Sequence, residues 1–229
     1  MYAEIIIPLF PLGVVLLPEV FLPLHIFEER YKSMISECLA EHKEFGIVYF
    51  SGSEMKKVGC SAQILKVLRR YENGEMDIMT VGKNRFFIKE IYETKAYLEA
   101  RVVHFDDEPE EGNEELRPLA TRGIKYLREL QTVLRAKWDG RPLAHVDAKR
   151  ISFLISGNDG FTLAEKQRLL EMTSTRKRLE DSIAALQKVI HRAWLTQEIE
   201  EIISGNGDLK KALEKYGIEE NGSGKSDGE

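Results

Sequence analysis

The sequence predicts an α+β protein, with a β-rich first half closing into a small barrel or closed sheet and a second half forming a helical bundle. Three observations carry that reading. Up to Phe105 the apolar residues fall in short, often β-branched runs separated by turn residues, the pattern of strands joined by short connections. From Leu116 onward they recur at helical spacing. Between the two lies Asp106 to Glu115, which holds seven acidic residues, no basic one, and Pro109 and Gly112. That composition reads as a solvated linker. The expected division is therefore 1–107 for the barrel with one early helix, 108–115 for the acidic linker, 116–217 for the helical part and 218–229 for a disordered tail.

The first strand is Ile5 to Phe10, ended by Pro11. Val14 to Leu17 is a second apolar run, stopped by Pro18. Val20 to Leu24 is extended, because Pro23 restricts itself and the residue before it, and the nearby prolines favour an edge strand or a strand entry. At Glu28 the period changes. Tyr31, Met34, Ile35, Cys38 and Leu39 share one helical face, and Glu28 and Glu29 suit the positive end of the helix dipole. Phe45 to Phe50 and Val58 to Tyr71 read as strands, and Asn73-Gly74 as a hairpin turn. Met76 to Val81 follows, Gly82-Lys83-Asn84 is expected to break it, and Arg85 to Ile91 and Tyr97 to Phe105 complete the sheet.

In the second half, Leu116, Leu119, Ala120, Gly123, Leu127, Leu130 and Leu134 form a stripe, with Pro118 expected at the helix start. Trp138 to Pro142 is a loop. Leu143 to Ser156 is a helix ended by Gly157, and Thr162 to Glu165 is a capping box. Leu179, Ile183, Leu186, Ile190 and Trp194 mark a long helix reaching toward Ile203, and Asp208 to Tyr216 carries the pattern of one more short helix.

Composition excludes several classes. A formal net charge of -5 argues against nucleic acid as the main partner, since phosphate binding needs a clustered basic face. Two cysteines, Cys38 and Cys60, are too few for a disulfide framework and point to a reducing, cytoplasmic setting. No apolar run is long enough for a membrane span, and the prolines at 11, 18 and 23 deny the N-terminal stretch a continuous helix.

No chemistry-bearing constellation stands out. Gly224-Lys225-Ser226 lacks the first glycine of a phosphate loop, because position 219 is Glu219. Gly157 to Gly160 fails as a calcium loop, because its first and last ligand positions would be Ile155 and Lys166. The histidines at 25, 42, 104, 145 and 191 show no metal-ligand spacing, and no serine lies in a Gly-x-Ser-x-Gly elbow. The expectation is a non-enzyme with no cofactor and no metal.

The stretch Phe10 to Tyr31 is the most informative. Its Phe21, Phe27 and Tyr31 either close the core between helix and barrel or stay in part exposed as an apolar groove. Ile7 to Pro18, followed by Leu22-Pro-Leu-His-Ile-Phe-Glu-Glu-Arg-Tyr31, resembles the N-terminal domain of the ATP-dependent Lon proteases, and most of all the short bacterial proteins built from that domain alone. Val58 to Val67, Thr80 to Phe86 (a Gly-x-x-Arg-Phe element), Glu165 to Glu171 and Arg178 to Glu180 resemble later parts of the same family, in order.

The resemblance implies a PUA-like β-barrel followed by a helical bundle, and a role in recognising protein substrates. These residues hold no complete Walker A loop, no AAA+ module and no Ser–Lys proteolytic domain, so hydrolysis by the Lon mechanism is not expected of them. The expected partner is unfolded polypeptide or a partner protein, with Phe21, Leu24, Phe27 and Tyr31 as candidate contacts; weak self-association is left open. The alternative is RNA binding, since other PUA-like barrels bind RNA, through a basic strip of Lys56, Lys57, Lys66, Arg69, Arg70 and Arg85.

Overall fold

A computed structural model describes residues 3–109, 112–134, 146–158 and 160–204. Their elements run β1 (Glu4–Leu12), β2 (Phe21–Ile26), α1 (Glu29–Glu41), β3 (Phe45–Phe50), β4 (Met55–Arg70), β5 (Met76–Tyr92), β6 (Leu98–His104), α2 (Asn113–Val133), α3 (Ala148–Ser156), α4 (Leu163–Glu171) and α5 (Thr175–Ser204). The expected loop at Trp138 to Pro142, the short helix at Asp208 to Tyr216 and the tail lie outside the described residues.

The strand order is β2-β5-β4-β3-β1-β6, and β6 also pairs with β5. That last pairing closes β1, β3, β4, β5 and β6 into a five-stranded barrel, antiparallel except where β1 meets β3. β4 and β5 overrun it. β3 accompanies β4 only as far as Ala62, and β6 accompanies β5 only from Phe86. The remaining lengths, Gln63 to Arg70 and Met76 to Val81, continue as a ribbon to which β2 adds as a third strand.

Two apolar clusters fill the β part. Ile7, Leu9, Val48, Phe86, Ile88, Ala100 and Val102 pack together in one. Phe86 reaches across to the glycine of β4, where an added Cβ at Gly59 would sit 2.5 Å from its ring and 2.5 Å from the Ile47 carbonyl oxygen. The other cluster is built on α1, whose Tyr31, Met34, Ile35 and Cys38 pack against Phe10, Ile26, Phe45 and Ile78. This is the face that the helical spacing predicts. Burial pushes the Cys38 thiol up to about 11, as expected for a small apolar packing residue.

The break expected at Gly82-Lys83-Asn84 does not occur, and β5 runs unbroken through it. Gly82 is there because the chain from Leu17 to Val20 passes directly over the strand. Glu19 N donates to the Gly82 carbonyl at 2.9 Å and Gly82 N donates to the Val20 carbonyl at 3.0 Å. A Cβ at Gly82 would lie 2.1 Å from the Leu17 carbonyl oxygen. The glycine marks a close approach of two backbones, one of the meanings a strand glycine carries.

The helices depart from expectation at their ends. α2 begins at Asn113, inside the acidic segment, so Pro118 falls within the helix and not at its start. Leu134 is the exposed C-cap of α2, and Val133 is buried in its place. α3 starts only at Ala148, where the Asp147 side chain caps it by accepting from Arg150 N at 2.8 Å. The Thr162–Glu165 capping box of α4 is present in full. Leu116, Leu127, Leu130, Ile151, Ile155, Leu169, Leu179, Leu186 and Ile190 form the bundle core.

Bundle and barrel are joined through one carboxylate. Asp107 lies in the segment read as solvated, yet it is buried between two buried arginines, Arg85 of β5 and Arg178 of α5. Arg85 Nη2 donates to Asp107 at 2.5 Å, and Arg178 donates to both of its oxygens. Arg85 also donates to the Leu170 carbonyl at 3.0 Å and to that of Met172. Arg178 donates to the Met172 carbonyl at 2.8 Å and to Ser152 at 2.7 Å. Phe153 of α3 sits between the two guanidinium groups, 5.2 Å and 3.9 Å from its ring centre, and enters the barrel-side cluster with Leu170. Burial alone would raise the Asp107 pKa, but hydrogen bonds and charge from Arg178, Thr175 and Arg85 hold it below the usual 3.8.

Two outcomes follow from this packing. Asp107→Ala is expected to cost about 3–5 kcal/mol in urea unfolding, the range for leaving buried charge uncompensated. Because the folded carboxyl is held below its unfolded value of 3.8, the unfolded chain takes up the proton first as pH falls. The stabilisation is therefore complete above that value and lost below it, and the acid limb of a stability–pH curve flattens in Asp107→Asn. Gly82→Ala, where neither backbone can move cheaply, is expected to lower stability by about 3 kcal/mol by the same measurement.

Candidate functional site

β2, β5 and β4 form a three-stranded sheet with one face on the α1 cluster and one face outward. Pairing across it sets the rows. Leu22, Thr80 and Ile64 stand in one, and Leu24, Ile78 and Val67 in the next, all on the inner side. The alternate rows are Phe21, Val81 and Gln63, then Pro23, Met79 and Lys66, then His25, Asp77 and Arg69, and these point outward.

β4 keeps its apolar residues on the inner face by means of two bulges. Ile64 opposes Thr80 and Lys66 opposes Met79, leaving Leu65 unpaired; Val67 opposes Ile78 and Arg69 opposes Asp77, leaving Leu68 unpaired. The extra residue in each case is a leucine, and both are exposed, Leu65 at 48% and Leu68 at 47%. Phe21 at 42% and Phe27 at 58% flank them from the β2 side. From Phe21 to Phe27 this face runs about 20 Å along the strand and about 10 Å across three strands.

The turn end of the face is polar and ordered. His25 Nδ1 lies 2.7 Å from Asp77 Oδ1, and Tyr71 donates to Asp77 Oδ2 at 2.7 Å. These two contacts hold the Asp77 carboxyl below the usual carboxylate range, and the same bond raises the Tyr71 hydroxyl. Phe27 stacks on His25 with centroids 5.9 Å apart, Tyr71 meets His25 edge-on at 5.8 Å, and the Arg69 guanidinium lies 4.6 Å from the Tyr71 ring centre.

The four residues singled out from the sequence therefore separate. Phe21 and Phe27 reach the outer face. Leu24 lies on the inner side, partly buried against the α1 cluster. Tyr31 is 7% exposed and packs on Phe10 with ring centroids 4.0 Å apart, so it belongs to the core and is corrected as a contact candidate. Leu65, Leu68 and Met79 are the members that sequence reasoning missed. The signal was present: Ile64-Leu65 and Val67-Leu68 repeat at three residues, which an unbroken strand cannot place on one side.

The basic strip is also reduced. Arg85 is buried, and Lys56 is paired with Glu54 at 2.8 Å. A depression of about 440 Å³ lies between barrel and bundle beside Lys83, His104 and Phe105. Ion pairs of Lys149 with Asp106 and of Arg150 with Glu19 already occupy four of its charged groups. Among the described residues no cluster of three His, Cys, Asp or Glu side chains could hold a metal, and no helix is long and apolar enough to cross a membrane.

Comparison with known proteins agrees with the resemblance carried by the proline-rich stretch. The profile of the ATP-dependent protease La (LON) substrate-binding domain matches residues 6–188. The Lon protease of Flavobacterium johnsoniae is 25% identical over 85% of this chain, and that of Xanthomonas oryzae is 24% identical over 93%. The chain spans about a quarter of the length of these relatives, 25% and 26% respectively. Among solved structures, a Lon N-terminal domain protein from Xanthomonas campestris superposes with a TM-score of 0.60 at 21% identity, covering 79% of this chain and 98% of that one. The N-terminal domain of a Mycobacterium avium complex Lon protease does so at 0.61 and 21%, covering 80% and 98%. A barrel and bundle of this shape, matched along most of their length by one profile, place the chain in the family of the ATP-dependent protease La (Lon) substrate-binding domain.

Proposed function

We propose that the chain is a non-catalytic polypeptide-binding module and that the outer face of the β2–β5–β4 sheet is its contact surface. The observation that carries this reading is the set of large apolar side chains, Phe21, Phe27, Leu65 and Leu68, exposed together on one short sheet. Surfaces of soluble proteins expose such side chains singly; a group of them marks an interaction site. The family's description as a substrate-binding domain supports the same assignment.

The face suits an extended chain. It is about as long as six residues of strand and lined by side chains that offer area and few directional bonds. Contacts of that kind accept many sequences, as a module handling unfolded clients requires. RNA binding is less favoured, because Arg85 is taken up inside the fold and Lys56 by its acid neighbour.

The test is binding of a reduced, carboxymethylated protein that cannot refold, followed by fluorescence anisotropy. A Phe27→Ser, Leu65→Ser, Leu68→Ser variant is expected to bind about tenfold or more weakly, as the loss of one well-buried apolar contact already gives. Its melting temperature should stay near that of the parent, because all three side chains are exposed. Equal binding by parent and variant would overturn the assignment.

A further inference from the structure

Several cations of the β-rich half are paired with carboxylates. Lys32 is paired with Glu29 at 2.8 Å, Arg30 with Glu28 at 2.7 Å, Lys95 with Glu37 at 2.7 Å and Arg101 with Glu90 at 3.2 Å. Lys66 and Arg69 make no ion pair with a carboxylate among the described residues. Two acids at this end of the sheet have other partners. Asp77 has both oxygens taken by His25 and Tyr71, and Glu75 lies 3.5 Å from His25 Nε2. Arg69 is held over the Tyr71 ring. With Arg70, Tyr71, Glu72 and Asn73 it also lines a shallow depression of about 540 Å³.

These two cations share the outer side of the sheet with the apolar group. Lys66 stands in the row of Pro23 and Met79, and Arg69 in the row of His25 and Asp77, with the exposed Leu65 and Leu68 beside them in the chain. Their partners on β5, Met79 and Asp77, are two residues apart, so the two cations stand about 7 Å apart along the sheet. An extended chain crossing the apolar group would meet one positive charge on each side of Leu68.

We propose that this face selects polypeptide segments in which acidic side chains at about two-residue spacing lie next to bulky apolar ones. The proposal rests on the polypeptide-binding reading and adds the sign of charge to it. The apolar contacts hold the segment; Lys66 and Arg69 choose among segments of equal apolar content.

The test uses three labelled twelve-residue peptides with the same phenylalanine and leucine positions and with Asp, Asn or Lys between them, measured against the whole chain at low salt. The Asp peptide is expected to bind about fivefold tighter than the Asn peptide, the gain from two exposed ion pairs, and the Lys peptide weakest. The advantage should vanish in K66Q/R69Q and in 0.5 M salt, while the Asn peptide binds parent and variant alike. Equal binding of Asp and Asn peptides overturns the sign preference and leaves polypeptide binding standing. An Asp advantage that survives in K66Q/R69Q overturns the assignment to these residues. Failure of all three peptides overturns the polypeptide reading as well. Oligo(U) displacing the Asp peptide at lower concentration than unlabelled Asp peptide does would assign the cations to nucleic acid instead.

Discussion

One carboxylate holding two buried guanidinium groups fixes the relation between the two parts of this protein. Arg85 comes from the middle of β5, Asp107 from the chain leaving β6, and Arg178 from the first turn of α5. Neither arginine could be buried alone, since an uncompensated charge in that position costs several kcal/mol. Once paired, they leave donors for the Leu170 and Met172 carbonyls, which belong to the end of α4 and the link after it. Four elements thus converge on one ion, and Phe153 fills the space between the cations. An arrangement of this kind contributes less to stability than an apolar core of equal volume would; what it supplies is a single permitted geometry.

That geometry leaves the far side of the β4–β5 ribbon uncovered. The bundle docks through α3 and α4 near Gly157 and Val58, where Gln167 donates to the Val58 carbonyl at 3.1 Å. α1 covers the inner face of the ribbon. The face that carries Phe27, Leu65 and Leu68 is the one left to solvent.

Elements whose cause is local were legible in the sequence. The α1 face, the Thr162 capping box and the Asn73-Gly74 turn depend on residues a few positions apart. Tyr31 shows how far that reading reached: its spacing with Met34 and Cys38 already assigned it to the packed side of the helix. β2 is a second case. Its alternation separates Phe21, Pro23 and His25 from Leu22, Leu24 and Ile26, but only the partner strand decides which set meets the core. What depends on distant partners was hidden. Gly82 looks like a turn residue until Leu17 is placed above it. Asp107 looks like one acid among seven until Arg178, 71 positions on, arrives beside it. The two leucines of β4 look like strand interior because a bulge has no signature short of the broken alternation itself.

The ribbon has two open borders among the described residues, since β2 and the second half of β4 each pair only with β5. Bare borders of this kind template aggregation. Here the Gly82–Val20 bond turns the even residues of β2 inward, so the outer border runs through Phe21, Pro23 and His25, and Pro23 breaks its row of donors. On the other border the bulges at Leu65 and Leu68 put the amides out of step. An in-register ladder cannot grow from either side. Under the proposed function, a chain resting on such a surface would keep its own amides in water and leave without unzipping, so the module would concentrate sticky segments without seeding a fibril.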